Sequence, residues 1–324
     1  MSKKTKTWII IASCFVLIGS IIFGGVMAIL KWDFTRLSTN KYETNKHEIS
    51  EGFKAISINT DTADIVFVPS ENAENAVECY EQKNLKHSVA VKDDTLIIEK
   101  VDTRKWYEHI GVFFETPKIT VYIPQGEYGS ISVKSSTGDV EIPKEFRFES
   151  VDISQSTGDV TSYASVSDVV KIKTSTGNIR VENISAGALD LSVSTGQIMI
   201  SDVICKGNVN ISVSTGKTKL TDVECENVTS SGSTGNIMLK NVIAAEKFTI
   251  KRSTGDVRFE GSDACEIFIE TDTGDVTGSF LTDKVFITQT DTGRVDVPKT
   301  VTGGRCEITT DTGDIRINIL NQIS

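Results

Sequence analysis

Ser136-Thr137-Gly138-Asp139-Val140, Ser156-Thr157-Gly158-Asp159-Val160 and Ser175-Thr176-Gly177-Asn178-Ile179 are three copies of one phrase, and its recurrence decides how most of this chain folds. The Thr-Gly pair returns with its glycine at Gly138, Gly158, Gly177, Gly196, Gly216, Gly235, Gly255, Gly274, Gly293 and Gly313, always 19 or 20 residues apart. A fixed period of this length is the mark of a repeat architecture. With each glycine placed at position eight, the units begin at Ile131, Val151, Val170, Leu189, Val209, Val228, Phe248, Ile267, Phe286 and Cys306. Position one is then apolar or Cys throughout, position three is mostly Ile or Leu, and position ten is Val or Ile in every unit except at Thr218. Position twelve is mostly apolar too. Such alternation on either side of a turn describes two short strands. A third apolar stop at position fifteen (Ile184, Val203, Val223, Val242) is followed by a small residue at seventeen (Ala186, Cys205, Cys225, Ala244).

One such unit buries too little surface to stand alone, whereas like stacked on like at about 4.8 Å makes continuous Val and Ile ladders. The expected fold is therefore all-β: a right-handed parallel β-solenoid of about ten coils over 131–324, the hand taken from the bias of strand crossovers. Ten coils would make a rod roughly 48 Å long. A β-sandwich also has short strands at regular intervals, but its turns do not repeat one sequence ten times. Low aromatic content (7%) agrees with a core of Val and Ile.

Upstream, residues 53–130 read as strand-like but irregular, a cap for the open end of the stack. Thr60-Asp61-Thr62-Ala63-Asp64-Ile65 in this segment is a decayed copy of the repeated turn, with alanine in the place of glycine. Residues 32–52 are polar and read as a stalk. Residues 1–31 are different material: Lys3, Lys4 and Lys6 precede an uncharged run from Trp8 to Leu30, 23 residues, closed by Lys31. In a helix this run reaches about 34 Å, enough to cross a bilayer core. It reads as a signal-anchor with the N-terminus in the cytoplasm and the repeats outside. The competing reading is a signal peptide cleaved after Val26-Met27-Ala28.

A signal-anchor, an irregular strand segment ending in Val121-Tyr122-Ile123-Pro124, and repeated Ser-Thr-Gly-Asp-Val units together resemble the bacterial putative-adhesin β-strand-repeat family, which includes LiaG-like cell-envelope proteins. The resemblance spans the chain. It implies a cell-envelope location and a solenoid, and it brings no catalytic residues.

Removing the four lysines of residues 1–31 from the whole-chain charge of −10 leaves −14 on the rest, which repels phosphate backbones and argues against nucleic acid as a partner. The three histidines, His47, His87 and His109, all precede the repeats, and no phosphate loop or nucleophile elbow is present. The chain is therefore read as a structural or interaction protein without cofactor, an adhesin or scaffold meeting envelope proteins or glycans. A glycan-active enzyme on a β-helix is the rival. Lys217, Arg252, Arg258 and Arg294 show no clustering in sequence that would favour it.

The repeated glycines are read as backbone devices, supplying a positive φ that other residues avoid. A calcium column through position nine (Asp139, Asp159, Asp256, Asp275, Asp314) is interrupted by Lys217 and Arg294, and only the last three units, with Asp272/Asp275 and Asp311/Asp314, keep the residue types for a weak site. The cysteines show no Cys-x-x-Cys spacing, so no metal site is read from them. Cys205 and Cys225 are read as small packing residues, with a bridge between adjacent coils as the alternative. Trp106, Tyr107, Phe113 and Phe114 lie in the densest aromatic stretch and are the candidate partner contact.

Overall fold

The computed structural model describes residues 2–33, 41–72, 74–104 and 115–320. An N-terminal helix, Lys3–Ile29, is capped by the Ser2 hydroxyl and ends where Lys31 and Trp32 take positive φ. It is long and apolar enough to cross a membrane. All other described elements are strands.

The repeats form a parallel β-solenoid in which equivalent positions stack in register. Position one runs Ile131, Val151, Val170, Leu189, Val209, Val228, Phe248, Ile267. Position ten runs Val140, Val160, Ile179, Ile198, Thr218, Ile237, Val257, Val276. Ile184, Val203, Val223 and Val242 build the third stretch. In the coil beginning at Leu189 the inward set is Leu189, Leu191, Val193, Ile198, Ile200, Val203 and Cys205, all buried. Position five is thus a seventh inward column. It holds Ser135, Gln155, Thr174, Val193, Val213, Gly232, Arg252 and Thr271.

Two corners shape the central coils. At the first, the repeat glycines have φ between 126° and 159°. A Cβ on any of them would lie 1.6–2.2 Å from a backbone carbonyl oxygen of the neighbouring coil, so glycine is required by both conformation and space. At the second, position fourteen, Asn183, Asp202, Asp222, Asn241 and Gly261 adopt φ of 51–58°. Asn, Asp and Gly are the residues that tolerate this left-handed conformation.

Stacking order departs from chain order at both ends. Ala55–Asn59 pairs in parallel with Thr95–Asp102 on one side and with Gly126–Thr137 on the other, so the coil of residues 55–69 lies between its two successors. Ala63 occupies its glycine position, where its N–H bonds to the Thr137 carbonyl (3.0 Å). At the far end Gly304–Thr312 pairs with Val257–Thr273 and with Lys284–Thr292. The last coil in sequence is therefore inserted beneath the one before it, which becomes the outermost.

Beyond the coil of residues 95–123 the stack is closed by the antiparallel strands Asn75–Gln82 and Leu85–Lys92. Tyr42–Ile49 pairs antiparallel with Asn75–Gln82. Part of the segment read as a polar stalk is therefore a strand of the cap. Its alternating exposure, with Glu48 and Lys46 outward, lets a polar sequence serve as an edge.

All six cysteines are free. Cys205 and Cys225 are buried at position seventeen, Cys225 in register with Ala244. Arg252 is 3% exposed inside the core. Its Nη1 donates to the Val213 carbonyl at 2.8 Å, passing over Gly232, where a Cβ would lie 2.0 Å from that nitrogen.

Two outcomes are expected. Gly216→Val should cost about 3 kcal/mol or more, because it adds a backbone clash to a disfavoured φ; a loss below about 1 kcal/mol in denaturant melts would contradict the close approach described. Deleting residues 304–324 should leave residues 284–303 open to limited proteolysis, since Lys284–Thr292 has no other strand partner among the described residues. Continued protection of that segment would disprove the inserted-coil arrangement.

Candidate functional site

Position nine shows what the repeated acid does. One side-chain oxygen accepts the backbone N–H of position nine in the neighbouring coil: Asp64 from Asp139 (2.9 Å), Asp139 from Asp159 (2.8 Å), Asp159 from Asn178 (2.7 Å) and Asn178 from Gln197 (3.1 Å). The ladder resumes with Asn236 to Asp256, Asp256 to Asp275, Asp275 to Asp314 and Asp314 to Arg294. An amide oxygen serves as well as a carboxylate, which is why Asn and Asp alternate. In the last three coils, where calcium fitted the residue types, Arg316 lies 3.3 Å from Asp275 and 3.2 Å from Asp314, and Arg294 lies 3.3 Å from Asp314. The Arg294 backbone N–H, then its guanidinium, hold the Asp314 carboxyl below the usual range.

The cations that looked scattered in sequence separate into three settings. Arg252 is interior, Arg294 is bound to Asp314, and Lys217 and Arg258 share a shallow surface groove of about 420 Å³ with Lys219, Met199 and Met238. Asp256 and Asp275 line the same groove, so its charge is mixed. One oxygen of each carboxylate is committed to the ladder, Asp256 Oδ1 accepting the Asp275 N–H and Asp275 Oδ1 the Asp314 N–H.

The densest chemistry sits in the cap. Cys79 and Glu81 lie two residues apart on Asn75–Gln82 and so face the same side, and His87 comes from Leu85–Lys92. All three are buried, and their ligand-type atoms lie within 4.8 Å of one another. His87 Nδ1 is 2.7 Å from Glu81 Oε2, which also accepts the His87 backbone N–H at 2.7 Å. Asn45 Nδ2 donates to the other carboxylate oxygen at 2.8 Å, and His87 Nε2 is 2.9 Å from the Thr60 hydroxyl. Burial foremost, then the Glu81 charge, pushes the Cys79 thiol up to about 12. The hydroxyl, imidazole and carboxylate are connected as in a nucleophilic triad, but Thr60 is 4% and His87 6% exposed, and a substrate cannot reach them. Sequence reading missed this group because Cys-x-Glu and a histidine six residues further on match no ligand motif; only the hairpin brings them together. Trp106, Tyr107, Phe113 and Phe114 lie outside the described residues.

A family model described as Toastrack DUF4097 matches residues 53–212 and 204–324. No curated protein matches the sequence. Among solved structures, a "putative lipid binding protein" from Parabacteroides distasonis is 17% identical, with a TM-score of 0.50 over 76% of this chain and 98% of its own. A "putative adhesin" from Bacteroides fragilis is 18% identical, with a TM-score of 0.36 over 86% and 97% of the two chains. These likenesses concern the fold.

The ladder predicts that Asp256→Asn changes stability by less than about 0.5 kcal/mol, while Asp256→Ala, which removes the acceptor for Asp275, costs about 1 kcal/mol. Thermal melts with and without chelator test this, and a chelator-dependent loss matched by Asp256→Asn would show that an ion holds the column instead.

Proposed function

This chain belongs to the Toastrack DUF4097 family, and from that premise we propose that it is a membrane-tethered rod of the bacterial cell envelope that presents its sides and distal tip to other envelope components. The observation that carries this reading is the polarity of the stack. The apolar helix ends at Ile29 and the cap strand begins at Tyr42, so few residues join the membrane segment to the capped end. That end is the proximal one. The opposite end is the outermost coil, Lys284–Thr292 with Val295–Asp296, paired on one side only among the described residues.

There Val285, Ile287 and Val295 are 36%, 49% and 45% exposed, and Val295 occupies a position buried in interior coils. An unpaired strand edge with exposed apolar side chains is suited to receiving a partner. Adhesion or scaffolding needs reach and rigidity, which the ladder supplies, and asks for no catalytic group. Envelope proteins or glycans are the partner classes consistent with a tip and sides of this kind. The acidic body disfavours nucleic acid.

With the N-terminus inside, protease added to intact cells should remove a C-terminal tag while a cytoplasmic marker survives. A tag protected until lysis would reverse the orientation, and a mature chain beginning at Ile29 would remove the tether.

A further inference from the structure

We propose that Cys79, Glu81 and His87 form a divalent metal site of the zinc class in the cap, a site separate from the envelope role argued above. Thiolate, carboxylate and imidazole are the donors that zinc takes, at about 2.0–2.3 Å. Tetrahedral ligands at those distances stand about 3.3–3.7 Å apart, so the 2.7 Å Glu81–His87 contact has to open by only about 0.6 Å to admit an ion.

The surrounding residues are arranged as a metal site requires. A ligating histidine is oriented by a hydrogen bond from its other ring nitrogen, and a ligating carboxylate by a donor on its second oxygen. Here the Thr60 hydroxyl holds His87 Nε2, which leaves Nδ1 facing Glu81, and Asn45 holds Glu81 Oε1. Directly opposed residues of an antiparallel pair share a face. Asn45 is opposite Cys79 and His47 opposite Val77, so His47 lies on the ligand side. Its Nε2 is buried without a hydrogen-bond partner among the described residues. His47 Nε2 does not fall within the 4.8 Å cluster of the three ligand atoms, so the fourth position of a four-coordinate ion is left to water. On binding, the Cys79 thiol proton leaves to solvent and the sulfur coordinates as thiolate, while the proton that His87 Nδ1 shares with Glu81 passes to Nε2, which then donates to the Thr60 hydroxyl; one proton is released and no oxidant or reductant is needed.

The metal would join three separate pieces: Tyr42–Ile49, the hairpin of residues 75–92, and through Thr60 the coil of residues 55–69. These are the pieces that close the proximal end of the rod.

The test uses full-length protein in detergent, unfolded and refolded with zinc or with cobalt(II). The expected result is one metal per chain by elemental analysis and, with cobalt, a thiolate-to-metal charge-transfer band with the strong visible bands of a four-coordinate ion. Cys79→Ser should abolish the charge-transfer band, whereas Cys225→Ala should keep it. Asn45→Ala should weaken zinc binding about 10- to 100-fold by releasing Glu81, and it supplies the same reading if Cys79→Ser does not fold. Protein that refolds without metal, or a band that survives Cys79→Ser, overturns the proposal and leaves the cluster as a hydrogen-bonded polar plug.

Discussion

At the first corner of each Thr-Gly coil the carbonyl oxygen of a neighbouring coil lies where a Cβ would project, and the rest of the rod depends on that closeness. The corner N–H bonds to the next coil's carbonyl, as in Gly158 to Thr176 at 2.9 Å, while the bare glycine Cα lets the previous coil's Gly138 carbonyl approach from the other side. With the corners locked, flanking strands fall into register and apolar columns form without further instruction. The acid after the glycine then closes the remaining backbone donor. Its charge is incidental to that task, so Asn178 and Asn236 substitute for it and Lys217 merely interrupts it.

The interior is apolar in most columns, and its polar groups lie along position five and towards the two ends. Arg252 is accommodated because Gly232 leaves a gap and Val213 offers a carbonyl. Lys284 is buried against Asp263 at 2.5 Å where the chain leaves the inserted order near the distal end. Cys79, Glu81 and His87 sit where the antiparallel cap meets the first coils. Arg252, Lys284 and Glu81 each have a specific partner, which offsets part of the cost of burying them.

Much of this was legible in the sequence, and what was missed has physical reasons. Positions one, three, ten, twelve, fifteen and seventeen announce themselves through apolar side chains. Position five does not, since Ser135, Thr174 and Gly232 look like surface residues although they line the interior. The second corner was also written plainly, as Asn183, Asp202, Asp222, Asn241 and Gly261 at one phase, but the Thr-Gly signal was the stronger. The inserted coils left no trace because Thr273-Gly274, Thr292-Gly293 and Thr312-Gly313 are equally good neighbours for one another. Tyr42–Ile49 was hidden by its polarity, as an edge strand needs only one half-buried face. The cap cluster depends on hairpin pairing, which spacing alone does not specify.

Interior coils are self-complementary: the upper surface of one fits the lower surface of the next, whereas each end is unique and out of chain order. A duplication or loss of one 19 or 20 residue unit between residues 151 and 266 would therefore lengthen or shorten the rod by about 4.8 Å and leave both ends intact. The same event at either end would break an interlocked pair. The protein is in this sense a ruler with fixed terminals and an adjustable middle, and the length between its two ends is a quantity that selection could change one repeat at a time.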